Sequence, residues 1–203
     1  MSVTVHRSWL LPLLGSCALI GCNGAKQREE SPYTVPATAP AQSAAVSPVA
    51  FKPIEYFDQS CSRCHGPYGS FYGDAFGRGL TDEKLRHVIA DMAAGPGNAP
   101  LGEAELDVQT AYHRSLLDRR PFVVVNAIEA NGDRVTMAGE VSPDSVVFVG
   151  ADRANVKGHA WDVVLPPTVE PSRVVIRVVG KSGSTSLSLG ESAYSHARPG
   201  DAD

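Results

Sequence analysis

Apolar positions along the chain change rhythm twice, and those changes divide it. Ser8 to Ile20 run thirteen residues without a charge, after Arg7. That stretch is too short to cross a bilayer and suits the apolar core of an export signal. Residues 23–50 are rich in Ala, Pro, Ser and Gln and have few large apolar groups. They cannot bury enough surface to offset chain entropy, so a flexible tether is predicted. Helical rhythm begins near residue 51. Ile54, Tyr56 and Phe57 lie on a short predicted helix, and the glycine-rich run 66–79 reads as loop. A second helix is predicted over 80–92, with Thr81 as N-cap and Asp82 and Glu83 in its first turn. Leu85, Val88, Ile89 and Met92 share one face of it. A third helix should run from after Gly102 to about Arg119, with a stripe of Ala104, Val108, Tyr112 and Leu116, and Pro121 stops it.

From Phe122 the period becomes that of a strand. Strands are predicted over 122–128, 134–141, 146–149, 161–165, 173–179 and 185–189. Asn131-Gly132 is a hairpin signal, and Ser142-Pro143-Asp144 forms a second turn. Val174, Ile176 and Val178 alternate with Arg173 and Arg177, as in sheets that each keep one wet face. Residues beyond about Glu191 are expected to fray. Trp161 and Met137 read as core side chains, and His113, His159 and His196 as surface ones.

Composition refines this outline. Apolar residues make up 43% and charged residues 20% of the 203, a balance that supports a buried core. A net charge of −4 argues against a nucleic-acid partner, which needs a basic face. Leu19-Ile20-Gly21-Cys22 resembles the lipobox of bacterial lipoproteins. The resemblance implies cleavage after residue 21, acylation of Cys22 and an anchor on the periplasmic side of a membrane. Asn23, which is not aspartate, slightly favours the outer membrane. The mature chain then carries 17 basic against 22 acidic residues.

Four cysteines are present. With Cys17 lost with the signal and Cys22 lipidated, Cys61 and Cys64 remain. Cys61-Ser62-Arg63-Cys64-His65 sets two thiols one helical turn apart with an imidazole directly after them. That spacing suits covalent attachment of one haem c, the thiols meeting its two vinyl groups and His65 serving as an axial iron ligand. A thioredoxin-like redox pair would need a strand before the motif. Zinc would need further ligands, for which only His87 and His113 are nearby. A disulfide across so small a loop would add little.

Residues 51–120 resemble the class I cytochrome c family. The resemblance rests on the haem motif, Gly66 with the glycine-rich loop, and a last helix reading Leu101-Gly102-Glu103-Ala104-Glu105 through Ala111-Tyr112-His113-Arg114-Ser115-Leu116. It implies that the first and last helices cross and that Tyr112 packs near the haem. The family's methionine before a proline is absent from Asn98-Ala99-Pro100-Leu101. Met92 is therefore a candidate for the second iron ligand, alongside His87, Asn98 or an open position. Asp74 stands where the family often has a proline whose carbonyl accepts the proximal histidine's proton. Residues 121–190 resemble, more weakly, small bacterial immunoglobulin-like modules.

The expectation is thus a two-domain protein: an all-α cytochrome c fold around a covalent haem, then a small all-β immunoglobulin-like sandwich. The segments are signal 1–21, lipidated tether 22–50, cytochrome domain 51–120, sandwich 121–190 and tail 191–203. The function implied is that of a membrane-tethered, periplasmic electron carrier, not itself an enzyme, with membrane-associated redox proteins as partners. Two alternatives stay open. One is a haem protein with a free sixth position that senses small ligands or acts like a peroxidase. The other is a relay and docking subunit of a larger dehydrogenase.

Overall fold

The computed structural model describes residues 46–195. The expected signal, the expected lipidation site Cys22, most of the expected tether and His196 lie outside the described residues. No helix among the described residues is long and apolar enough to cross a membrane.

Among the described residues four α-helices precede eight strands: α1 Pro53–Ser60, α2 Ser62–His65, α3 Asp82–Ala94, α4 Glu103–Asp118, β1 Val123–Asn131, β2 Arg134–Val141, β3 Val146–Val149, β4 Asp152–Arg153, β5 Asn155–Lys157, β6 Ala160–Leu165, β7 Val175–Gly180 and β8 Gly183–Ser188. The strands form two four-stranded sheets, in the orders β1-β2-β6-β5 and β4-β3-β7-β8, with every pairing antiparallel. Their inner faces share one core, including Val123, Val125, Met137 and Trp161 from the first sheet and Val147, Ile176, Val178 and Leu187 from the second. The short β4 and β5 carry no apolar alternation, which is why the sequence pattern passes over them.

The expected division into an all-α cytochrome domain followed by a separate β-sandwich is not what the chain forms. All described residues belong to one compact unit. The reason lies in β1, whose first residues are buried on both faces. Val123 and Val125 point into the sandwich, whereas Phe122 and Val124 join Ile54, Phe57, Val108, Ala111 and Tyr112 in a second core. The helices and the first sheet thus bury one another's apolar faces, and neither layer has a complete core alone.

Polar contacts reinforce that seam. Glu140 on β2, 2% exposed, accepts from the backbone N–H of Ile54 at 2.9 Å and of Glu55 at 3.0 Å. It thereby caps α1, whose own N-cap residue, Lys52, makes no side-chain cap bond. Asn126 sits at an irregularity in the β1–β2 register and donates its amide to the carbonyls of Val49 and Phe51, each at 2.8 Å. A bulge that turns a side chain out of the ladder in this way ties the lead-in of α1 to the sheet. The N–H of Val49 donates to the carbonyl of Val125 at 3.0 Å, so the tether predicted to run to residue 50 has already joined the fold there.

The C-terminal segment also departs from expectation. Instead of fraying from Glu191, the chain pairs along β1. Val125 N–H donates to the Ala193 carbonyl at 2.8 Å, and Ser195 N–H donates to the Val123 carbonyl at 2.9 Å. This covers an edge that would otherwise invite strand addition.

Candidate functional site

The residue pattern of Cys61-Ser62-Arg63-Cys64-His65 dictates its local shape. α1 ends at Ser60, and Cys61 leaves the helix at φ −114°, ψ −36°. The Ser62 hydroxyl donates to the Asp58 carbonyl at 2.6 Å, linking the end of α1 to the start of α2. Within that turn the N–H groups of Cys64 and His65 both donate to the Cys61 carbonyl, at 3.1 and 3.0 Å. Gly66 then reverses the chain at φ +75°. A side chain there would meet Ser70 Oγ at 2.3 Å and the Phe71 ring at 2.8 Å, so only glycine lets the following loop fold back so closely.

Cys61 is half-buried, Cys64 is exposed, and both are free thiols. Burial, and then the neighbouring Cys64, push the Cys61 thiol up to about 11. A thiol so reluctant to ionise is a poor disulfide-exchange nucleophile. Burial also lowers the pKa of His65, which favours the neutral imidazole, the form that ligates metal.

These three residues line one side of a cleft with an enclosed volume of about 130 Å³. Met92 lies on the same cleft, with Leu85, Val88 and Ile89 of α3 beside it. Tyr56, Tyr72, Phe76 and His113 complete most of the wall. Each wall is fixed from outside. Thr81 Oγ1 caps α3 by accepting the Lys84 N–H at 3.3 Å. Arg86 of α3 pairs with Asp107 at 2.7 Å and with Glu103, both on α4. Arg114 of α4 donates to Asp82 at 2.8 Å and to the Leu80 carbonyl at 2.6 Å. The Tyr56 hydroxyl donates to the Ala99 carbonyl at 2.5 Å and so ties the segment after α3 to α1.

The sequence-derived candidates therefore separate. Cys61, Cys64, His65 and Met92 come together on one cleft, with Met92 40% exposed at its mouth. His87 does not line it, its side chain being 81% exposed beside Asp91. Asn98 is a turn residue at φ +47°, also off the cleft. Asp74 pairs with Arg119 at 2.9 Å and with Arg78 at 3.8 Å. In the α4 stripe Ala104 is exposed, and burial shifts to Leu106, Val108 to His113, Ser115 and Leu117.

His113, expected at the surface, is 7% exposed and lines the cleft. Burial, with a smaller contribution from His65, pushes its imidazole down to about 3. Its Nδ1 lies 3.0 Å from the Tyr72 hydroxyl, while its Nε2 has no partner among the described residues. The other nearby rings missed from sequence are Tyr72 and Phe76, stacked on each other at 4.6 Å and 10°. The available signal was the i, i+3, i+4 series Gln109, Tyr112, His113, which sets polar groups on one face of α4. Among the described residues no three His, Cys, Asp or Glu side chains gather to hold a metal ion. An all-protein zinc site is thus not assembled there, whereas a haem needs only one or two protein ligands.

The chain matches no protein-family model, no curated protein and no solved structure. The site's chemistry alone must carry the functional reading.

Proposed function

We propose that the protein is a membrane-tethered monohaem c-type cytochrome that passes single electrons on the periplasmic side. The observation that carries this reading is the meeting of Cys61, Cys64, His65 and Met92 on one apolar cleft. The donor set fits the group: two free thiols one turn apart, a neutral imidazole and a soft thioether. The cleft's enclosed volume is below the about 300–1,000 Å³ of typical ligand pockets. Its flank, residues 70–81, carries no helix or strand.

In this assignment Cys61 and Cys64 hold the porphyrin by thioether bonds, His65 binds its iron, and Met92 is the second ligand. The bound haem supplies a one-electron iron couple. The protein's own residues supply the surroundings: Leu85, Val88 and Ile89 exclude water, and the Arg86 and Arg114 pairs hold α3 against α4. Cys22 would tether the unit near membrane-associated redox partners. A second reading, haem with a free sixth position, is favoured by one feature, the 40% exposure of Met92.

Expression in cells competent for cytochrome maturation tests the assignment. The chain should gain one haem in denaturing mass spectrometry, and C61S/C64S should abolish that gain. A wild-type chain at apoprotein mass would overturn the proposal. Replacing Met92 by Ala should abolish the near-infrared sulfur–iron band of the ferric protein. If the wild type already lacks that band and binds carbon monoxide when reduced, the second reading holds.

A further inference from the structure

We propose that His113 and Tyr72 are positioning residues that set the orientation of the His65 imidazole. The inference rests on the haem reading above and concerns residues outside the haem motif. The Tyr72 ring lies 5.0 Å from the His65 ring, centroid to centroid, at an interplanar angle of 51°. Phe76 stacks on Tyr72 and lies 6.1 Å from His65, so the two rings wall the imidazole. Aromatic packing alone leaves a ring free to slide, and the Tyr72 hydroxyl removes that freedom. It lies 3.0 Å from Nδ1 of His113, and one member of this neutral pair donates. His113 is itself buried on α4, with its ring 5.4 Å from that of Phe57. The contacts thus run from the α1–α4 crossing through His113 and Tyr72 to His65.

The arrangement is expensive, which is why it is informative. Among the described residues His113 Nε2 is buried without a partner, as are both side-chain polar atoms of Gln109 one turn earlier. Each such group carries a desolvation cost that an apolar side chain would not. A leucine at 113 would fill the space without that penalty, but it could not hold the tyrosine hydroxyl. A metal-bound imidazole ordinarily owes its orientation to a hydrogen-bond partner on its other nitrogen. Among the described residues no side-chain hydrogen bond engages His65, and Asp74 is committed to Arg119 and Arg78. The pinned Tyr72 ring takes over the orienting role by steric means.

The test uses the haem-loaded protein, with Y72F, H113L and H113N compared with wild type. Y72F keeps the ring and loses the anchor; H113N keeps a polar group near the Nδ1 position. The readouts are ferric electron paramagnetic resonance g values, the midpoint potential and the thermal midpoint. Y72F and H113L should shift both the g values and the potential, and H113N should return them toward wild type. Unchanged g values and potential, whatever happens to the thermal midpoint, would reduce the pair to core packing and overturn the inference. If H113L does not fold, Y72F decides the question. Failure of the haem reading itself is visible earlier, as wild-type protein at apoprotein mass.

Discussion

Removing the Glu140 carboxylate should loosen the helices and the sheet together. α1 has eight residues, well short of the roughly 12–15 that an isolated helix needs, so its stability comes from tertiary partners. In Glu140→Ala two N–H groups, those of Ile54 and Glu55, lose their acceptor. Leaving a buried donor unpaired costs about 1–3 kcal/mol, and losing an N-cap about 0.5–2 kcal/mol. The gain is that a carboxylate no longer has to be desolvated; burial raises the Glu140 pKa despite the two N–H bonds and the nearby His159. The net expectation is a loss of about 2–4 kcal/mol. For a unit of this size that lowers the thermal midpoint by roughly 5–15 °C. Glu140→Gln keeps one acceptor and should lose about half as much. Urea unfolding followed by two probes is the assay. Far-UV circular dichroism reports mainly on the helices, and fluorescence reports on Trp161, the only tryptophan in a chain starting at residue 23. Trp161 is buried and donates its indole N–H to the carbonyls of Val124 and Glu140. The two curves should coincide in wild type and move together in the variant. Two separated transitions, or a loss under about 0.5 kcal/mol in Glu140→Ala, would refute the shared-core account.

Acid should destabilise the fold partly through His113. The unfolded chain takes up that proton below its ordinary 6.5, while the folded imidazole does so only near 3, so stability present above 6.5 is lost as pH falls toward 3. At ~1.4 kcal/mol per pH unit this amounts to about 2 kcal/mol between neutrality and pH ~5. Urea titrations of H113L should show a shallower pH dependence than wild type by that amount, and an equal slope would contradict the burial. Gly139→Ala should cost several kcal/mol, since the new Cβ would stand 1.9 Å from the Val124 carbonyl oxygen that accepts the Trp161 indole N–H. A near-neutral denaturation midpoint would contradict that close approach. Thr81→Ala removes the α3 cap and should cost about 1 kcal/mol, read in the same titration.

Local chemistry was legible in the sequence because it depends on near neighbours. The spacing of Cys61, Cys64 and His65 is one helical turn wherever that turn is placed. Thr81 caps α3 as its position before an acidic first turn implied. The β1–β2 hairpin closes through Gly132-Asp133, one position beyond the Asn131-Gly132 signal, with Gly132 supplying the positive φ the turn needs. The valine-rich strands carried their alternation openly.

What tertiary structure alone decided is which faces meet. Phe122-Val123-Val124-Val125 reads as a plain strand start, yet its burial on both faces marks a sheet covered on each side, and that cover comes from helices up to 70 residues away in the chain. Glu140 looks like any strand carboxylate until α1 arrives over it, since a cap supplied by a distant element leaves no trace at i+3. His113 was misplaced for the same reason. Helical spacing sets it beside Gln109 and Tyr112, but only the loop bearing Tyr72 closes over it and turns a surface position into a wall of the cleft. Periodicity encodes the direction in which a side chain leaves its own element. What lies in that direction is a property of the whole chain's packing.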